Sequence, residues 1–67
     1  MQTTYDIFSG TYGSSAAVWK EAVEGLEAAK RRMHHLAAER HGAYFVFCLC
    51  SRLVLESTDT SEPPATK

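Results

Sequence analysis

The sequence predicts an α+β fold: a hairpin, one helix and a second hairpin in the order ββαββ, with the helix packed on one face of a four-stranded, mostly antiparallel sheet. Three observations carry this. A single segment has apolar residues at helical spacing. Strand-like segments, two on each side, flank it. The chain has only 67 residues, which leaves room for one domain and one core.

The first strand is "TYDIFSG", residues 4–10, where Tyr5, Ile7 and Phe8 alternate with polar positions before Gly10. "TYGSS", residues 11–15, is turn chemistry, with a permissive glycine and two serines that bond locally. Residues 16–25 mix alanines with Val18, Trp19 and Val23 before Gly25. The β-branched and aromatic residues favour a strand over 17–23; the alanines leave an early helix start open.

Residues 26–40, "LEAAKRRMHHLAAER", form the helix. Leu26, Ala29, Met33, Leu36 and Ala37 share one stripe. Glu27, Arg31, His35 and Glu39 occupy the opposite side. Gly42 suits the position just past a helix end. Glu21, Glu24 and Glu27 at or before the start, with Arg40 and His41 at the end, complement the macrodipole.

"AYFVFCL" follows as an aromatic, β-branched strand, and "RLVLES" is its hairpin partner across a turn near residues 50–52. The compact domain is placed at residues 1–58. Residues 59–67 carry two prolines and no apolar side chain larger than Ala65, and are read as a disordered tail. Two strand orders remain open: a right-handed β2–helix–β3 crossover with adjacent parallel strands, and the fully antiparallel order 2-1-3-4.

Composition excludes more than it assigns. A net charge of −1 gives no bulk attraction to nucleic acid or anionic lipid. The opening "MQTTYDIFSG" has neither the basic nor the apolar region of a signal peptide. No run approaches the ~20 apolar residues of a membrane span. A cytoplasmic protein with no membrane partner is expected.

Cys48 and Cys50 are the two cysteines. On one extended strand their Cα atoms lie ~6.6–6.8 Å apart, at the outer limit for a disulfide and with parallel side chains. Free thiols, both buried or nearly so and packed as small hydrophobes, are expected. A zinc ion would need two further ligands. A thiol or metal site at the C-x-C strand is kept as an alternative. The three histidines lie on or just past the helix, and His35 and Glu39 at i, i+4 are an ordinary solvated pair.

Lys30, Arg31, Arg32 and Arg40 raise a second alternative, a nucleic-acid or anion binder. Successive residues diverge by ~100° around a helix, and Glu24, Glu27 and Glu39 dilute the field. No nucleophile elbow, phosphate loop or dinucleotide fingerprint occurs. Asp6 is expected to pair with Lys20 across the first hairpin. The reading is therefore of a protein that is not an enzyme, with no cofactor, no catalytic residue and no metal ligand.

The run of residues 19–47 resembles a pattern of small uncharacterised bacterial proteins. It is carried by Trp19, Val23, Glu24, Gly25 and Leu26, then by Ala29, Arg32, Met33, Leu36 and Ala37, and finally by Gly42 and Tyr44, Phe45, Val46 and Phe47. A proline often precedes the glycine in that pattern, where this chain has His41. The resemblance implies a bacterial origin and one compact domain. It implies no activity and no site residue.

Assembly is the functional expectation. Four strands make a sheet ~19 Å wide, and a helix ~10 Å across covers about half of one face. Residues 44–49 offer apolar side chains to both faces. The candidate interface is Tyr44, Phe45, Val46, Phe47, Cys48 and Trp19, and the expected partner is a second copy in a C2 dimer. A small protein partner of another kind would cover the face equally well, and cover by the tail or by the 11–15 loop is the competing arrangement.

Overall fold

The computed structural model describes residues 3–60. The elements run β1 (Thr4–Ser9), β2 (Val18–Glu24), α1 (Leu26–Glu39), β3 (Ala43–Cys48) and β4 (Leu53–Asp59). The sheet order is β2-β1-β3-β4, with every neighbouring pair antiparallel. The antiparallel alternative therefore holds. The two hairpins meet along β1 and β3, where Ile7 faces Val46 and Phe8 faces Phe45.

The helix lies on one face of the sheet. Ala29, Met33 and Ala37 are fully buried; they sit four residues apart, on one row of the helix surface. They pack with Ile7, Tyr44 and Val46, and with the partly buried Tyr5, Val23, Leu36 and Leu55. Alanines at both ends of the row let the helix axis approach the sheet, and Met33 fills the centre. Leu36 is at the margin of the core rather than inside it.

The helix begins after Gly25, which has φ 92° and no side-chain cap. The Gly25 N–H donates to the Thr3 carbonyl at 2.9 Å, tying the helix start to the sheet. The other end closes differently from expectation. Arg40 is the C-cap, so Gly42 lies beyond the usual glycine position. Thr60 takes over the capping: its hydroxyl donates to the Ala37 carbonyl at 2.8 Å and accepts from the Gly42 N–H at 3.1 Å. Its N–H donates to the Gly42 carbonyl at 2.9 Å. Asp59 and Thr60, assigned to the tail from sequence, therefore belong to the folded unit. The rest of that tail, residues 61–67, lies outside the described residues.

Two β-bulges decide which side chains face where. Ile7 pairs with Glu21 but Phe8 with Trp19, leaving Lys20 as the extra residue. Val46 pairs with Glu56 but Phe47 with Val54, leaving Leu55 as the extra residue. A bulge shifts the alternation by one. Trp19, which would otherwise share the helix face with Glu21 and Val23, turns to the open face. Leu55 turns toward the helix. The expected Asp6–Lys20 pair does not form: Asp6 stands opposite Ala22, and its Oδ1 accepts from Trp19 Nε1 at 3.2 Å.

Candidate functional site

The sheet face away from the helix is aromatic. Strand alternation on β1 and β3 sends Phe8, Phe45 and Phe47 to it. The Phe8 and Phe45 rings stack, with centroids 5.0 Å apart and planes within 4°. Phe8 meets Phe47 edge-on at 6.3 Å.

Tyr12 arrives from the β1–β2 loop and lies over both β3 rings. It is edge-on to Phe45 at 5.7 Å and stacked on Phe47 at 5.7 Å with planes at 23°. The loop is folded back by the Ser14 N–H bond to the Thr11 carbonyl at 3.0 Å and the Ala17 N–H bond to the Ser14 carbonyl at 3.2 Å. Gly10 lets the chain turn here. It has φ 108°, and a Cβ on it would come within 3.0 Å of the Ala17 Cα.

The loop thus covers part of the face, as the competing arrangement required. Phe45 is only 4% exposed. The cover is incomplete. Tyr12 and Trp19 remain more than half exposed, with Val18 beside Trp19 equally open. Phe47 and Val54 are half-buried. Between Tyr12 and β4 an open groove of about 530 Å³ runs over Phe45, Val54 and Ser57. Leu49 and Leu53 project from the β3–β4 end.

The six residues expected at an interface divide between the two faces. Phe45, Phe47 and Trp19 lie on the open face. Tyr44, Val46 and Cys48 are buried on the helix side, where no partner docking on the open face reaches them. Tyr44 also donates its hydroxyl to the Arg40 carbonyl at 3.0 Å. Phe8 and Tyr12 were missed. The signal for Tyr12 was present as a single large aromatic in a turn of small polar residues.

The helix face is electrically balanced. Arg32 donates to the Glu21 carboxylate at 2.7 and 3.3 Å; the bond and the charge of Glu21 raise its pKa further. Lys30 stands 3.9 Å from Glu27, and His35 stands 3.1 Å from Glu39. His34 Nε2 is 2.8 Å from the Glu56 carboxylate on β4. That bond holds the Glu56 pKa below the usual carboxylate range, aided by the charges of Lys30 and His34 and opposed by partial burial. Arg31 and Arg40 are exposed. These cations and the aromatic face lie on opposite sides of the sheet.

Both cysteines are free thiols. Cys48 is buried, but Cys50 is exposed, contrary to the expectation for the pair. The strand ends at Cys48, so Cys50 belongs to the turn and never enters the sheet. Among the described residues no three histidine, cysteine, aspartate or glutamate side chains gather as a metal site, and no helix is long and apolar enough to cross a membrane. Compared with protein-family models, with curated proteins and with solved structures, the chain finds no match.

Proposed function

We propose that the protein is a small non-enzymatic interaction module of the cytoplasm that self-associates through its open sheet face. The observation that carries this reading is the aromatic ledge of Tyr12, Trp19 and Phe47. It rests on the four-stranded sheet, and Tyr12 and Trp19 are 58% and 54% exposed. Solvated aromatic rings grouped on one face are the usual anchors of protein interfaces.

The scale of the face sets the strength of the contact. A sheet ~19 Å wide with strands ~20 Å long presents roughly 400 Å² per copy. Two copies then bury roughly 800 Å², at the low end for specific association. The expected dimer is weak and concentration-dependent. Nucleic-acid binding finds less support. Stacking platforms work beside cations, whereas here Arg31 and Arg40 sit across the sheet from the aromatic rings.

Sedimentation velocity from low micromolar to millimolar protein tests the proposal. A rising weight-average mass is expected, abolished by Trp19→Arg, which places a charge on the β2 side of the ledge without touching the core. A sedimentation coefficient that stays monomeric at every concentration overturns self-association. A rise that persists unchanged in Trp19→Arg overturns this face as its site.

A further inference from the structure

Cys48 ends β3, with its side chain covered on the helix side. Cys50 lies two residues on, exposed. Between the paired residues Cys48 and Leu53 the chain turns through Leu49, Cys50, Ser51 and Arg52. The Arg52 N–H donates back to the Cys48 carbonyl at 2.7 Å, and Arg52 takes the left-handed φ of 58° that closes the turn.

A bond from residue i+4 to residue i winds this segment like a single turn of helix. Residues two apart in that geometry have Cα atoms ~5.4 Å apart, from the helix radius and rise. An extended strand would separate them by ~6.7 Å. Disulfides form at ~4.4–6.8 Å, most often at ~5.5–6 Å. The objection from Cα separation therefore falls away once the strand stops at Cys48.

The surroundings of the sulfur support the same chemistry. Hydrogen bonds from the Ser51 hydroxyl and N–H pull the Cys48 thiol below its ordinary pKa. The Cys50 N–H and thiol add to this, and burial opposes it. Cys48 thus stands at the start of the turn, with Ser51 and Cys50 as the neighbours that favour its thiolate.

We propose that Cys48 and Cys50 form a reversible dithiol–disulfide couple, oxidised by low-molecular-weight disulfides. The exposed Cys50 thiolate attacks one sulfur of the oxidant. A sulfur–sulfur bond forms, the oxidant's own bond breaks, and one thiolate leaves with the electron pair. The Cys48 thiolate then attacks the Cys50 sulfur, and the second thiolate departs. The protons lost by the two cysteines end on the departing thiolates. The protein loses two electrons and the oxidant gains them. A reducing dithiol reverses both steps.

The test is intact-mass analysis of the reduced, folded protein after exposure to oxidised glutathione and an acid quench. The wild type is expected to lose two hydrogens, to retain no glutathione, and to return to its starting mass with dithiothreitol. Cys48→Ser is expected to stop as a persistent glutathione adduct on Cys50. Cys50→Ser, left with the covered thiol, is expected to react at least ~10-fold more slowly, because exposure limits thiol exchange. The proposal is overturned by a stable glutathione adduct on the wild type, by a disulfide between two chains, or by thiols that do not react.

Discussion

Replacing Met33 by alanine tests the fold that everything else depends on. Met33 is fully buried beneath the helix, against Ile7, Tyr44 and Val46. Truncation removes three chain atoms beyond Cβ, a loss of roughly 2.4 kcal/mol in transfer free energy at ~0.8 kcal/mol per group. The cavity left behind adds to this. Alanines lie one helical turn away on either side and cannot expand to fill it, so the total is expected at ~3–4 kcal/mol, within the usual ~2–5 kcal/mol range. A domain of this size has a total stability of roughly 3–10 kcal/mol, so the variant keeps at most about two-thirds of it and at the low end does not fold.

Urea denaturation followed by far-ultraviolet circular dichroism measures the effect, with two comparisons. Leu36→Ala, at the margin of the core, is expected to lose clearly less than Met33→Ala. Leu49→Ala, 70% exposed, is expected to change stability by less than ~0.5 kcal/mol. If Met33→Ala and Leu49→Ala shift the midpoint equally, the helix does not pack over Ile7 and Val46, and the assignment of sheet faces fails with it.

Two further outcomes are expected. Gly10→Ala must hold a side chain at φ 108° against the Ala17 backbone; it is expected to lose at least ~1 kcal/mol and to raise the tyrosine exposure seen by fluorescence quenching as the loop lifts from Phe45. Glu56 has a depressed pKa in the folded state, so its contribution is full above the unfolded pKa of ~4.3 and is lost as pH falls through the lower folded value. Glu56→Gln is therefore expected to flatten the acid limb of the stability profile below that pH, and an unchanged limb would remove the His34–Glu56 bond from the account.

Much of the fold is legible in the sequence because its local signals agree. The apolar stripe from Leu26 to Ala37 specifies a helix and its buried side by period alone. Aromatic and β-branched runs mark the strands, and the observed bounds differ from expectation by a residue at the ends of β2, α1 and β3 and by two at the end of β4. Hydrophobic pattern is a property of neighbouring residues, so neighbouring residues suffice to read it.

What the tertiary structure decided are the features set by pairing between distant segments. The bulges at Lys20 and Leu55 are visible only when each strand lies against its partner, and they alone turn Trp19 out and Leu55 in. Strand alternation showed that residues 44–49 offer two apolar faces; only the packed helix determined that Val46 is core and Phe47 is not. Tyr12 read as part of a turn, and its role as a cover over Phe45 and Phe47 depends on rings 33 and 35 residues away in the chain. Thr60 read as tail, and its bond to the helix end exists because β4 carries it back beside Ala37. Cys50 reads either as the end of an apolar strand or as the start of the turn, and hairpin closure at Arg52 takes it out of the sheet. Local sequence sets what each segment prefers, whereas register, facing and exposure are fixed only when one segment supplies the other's partners.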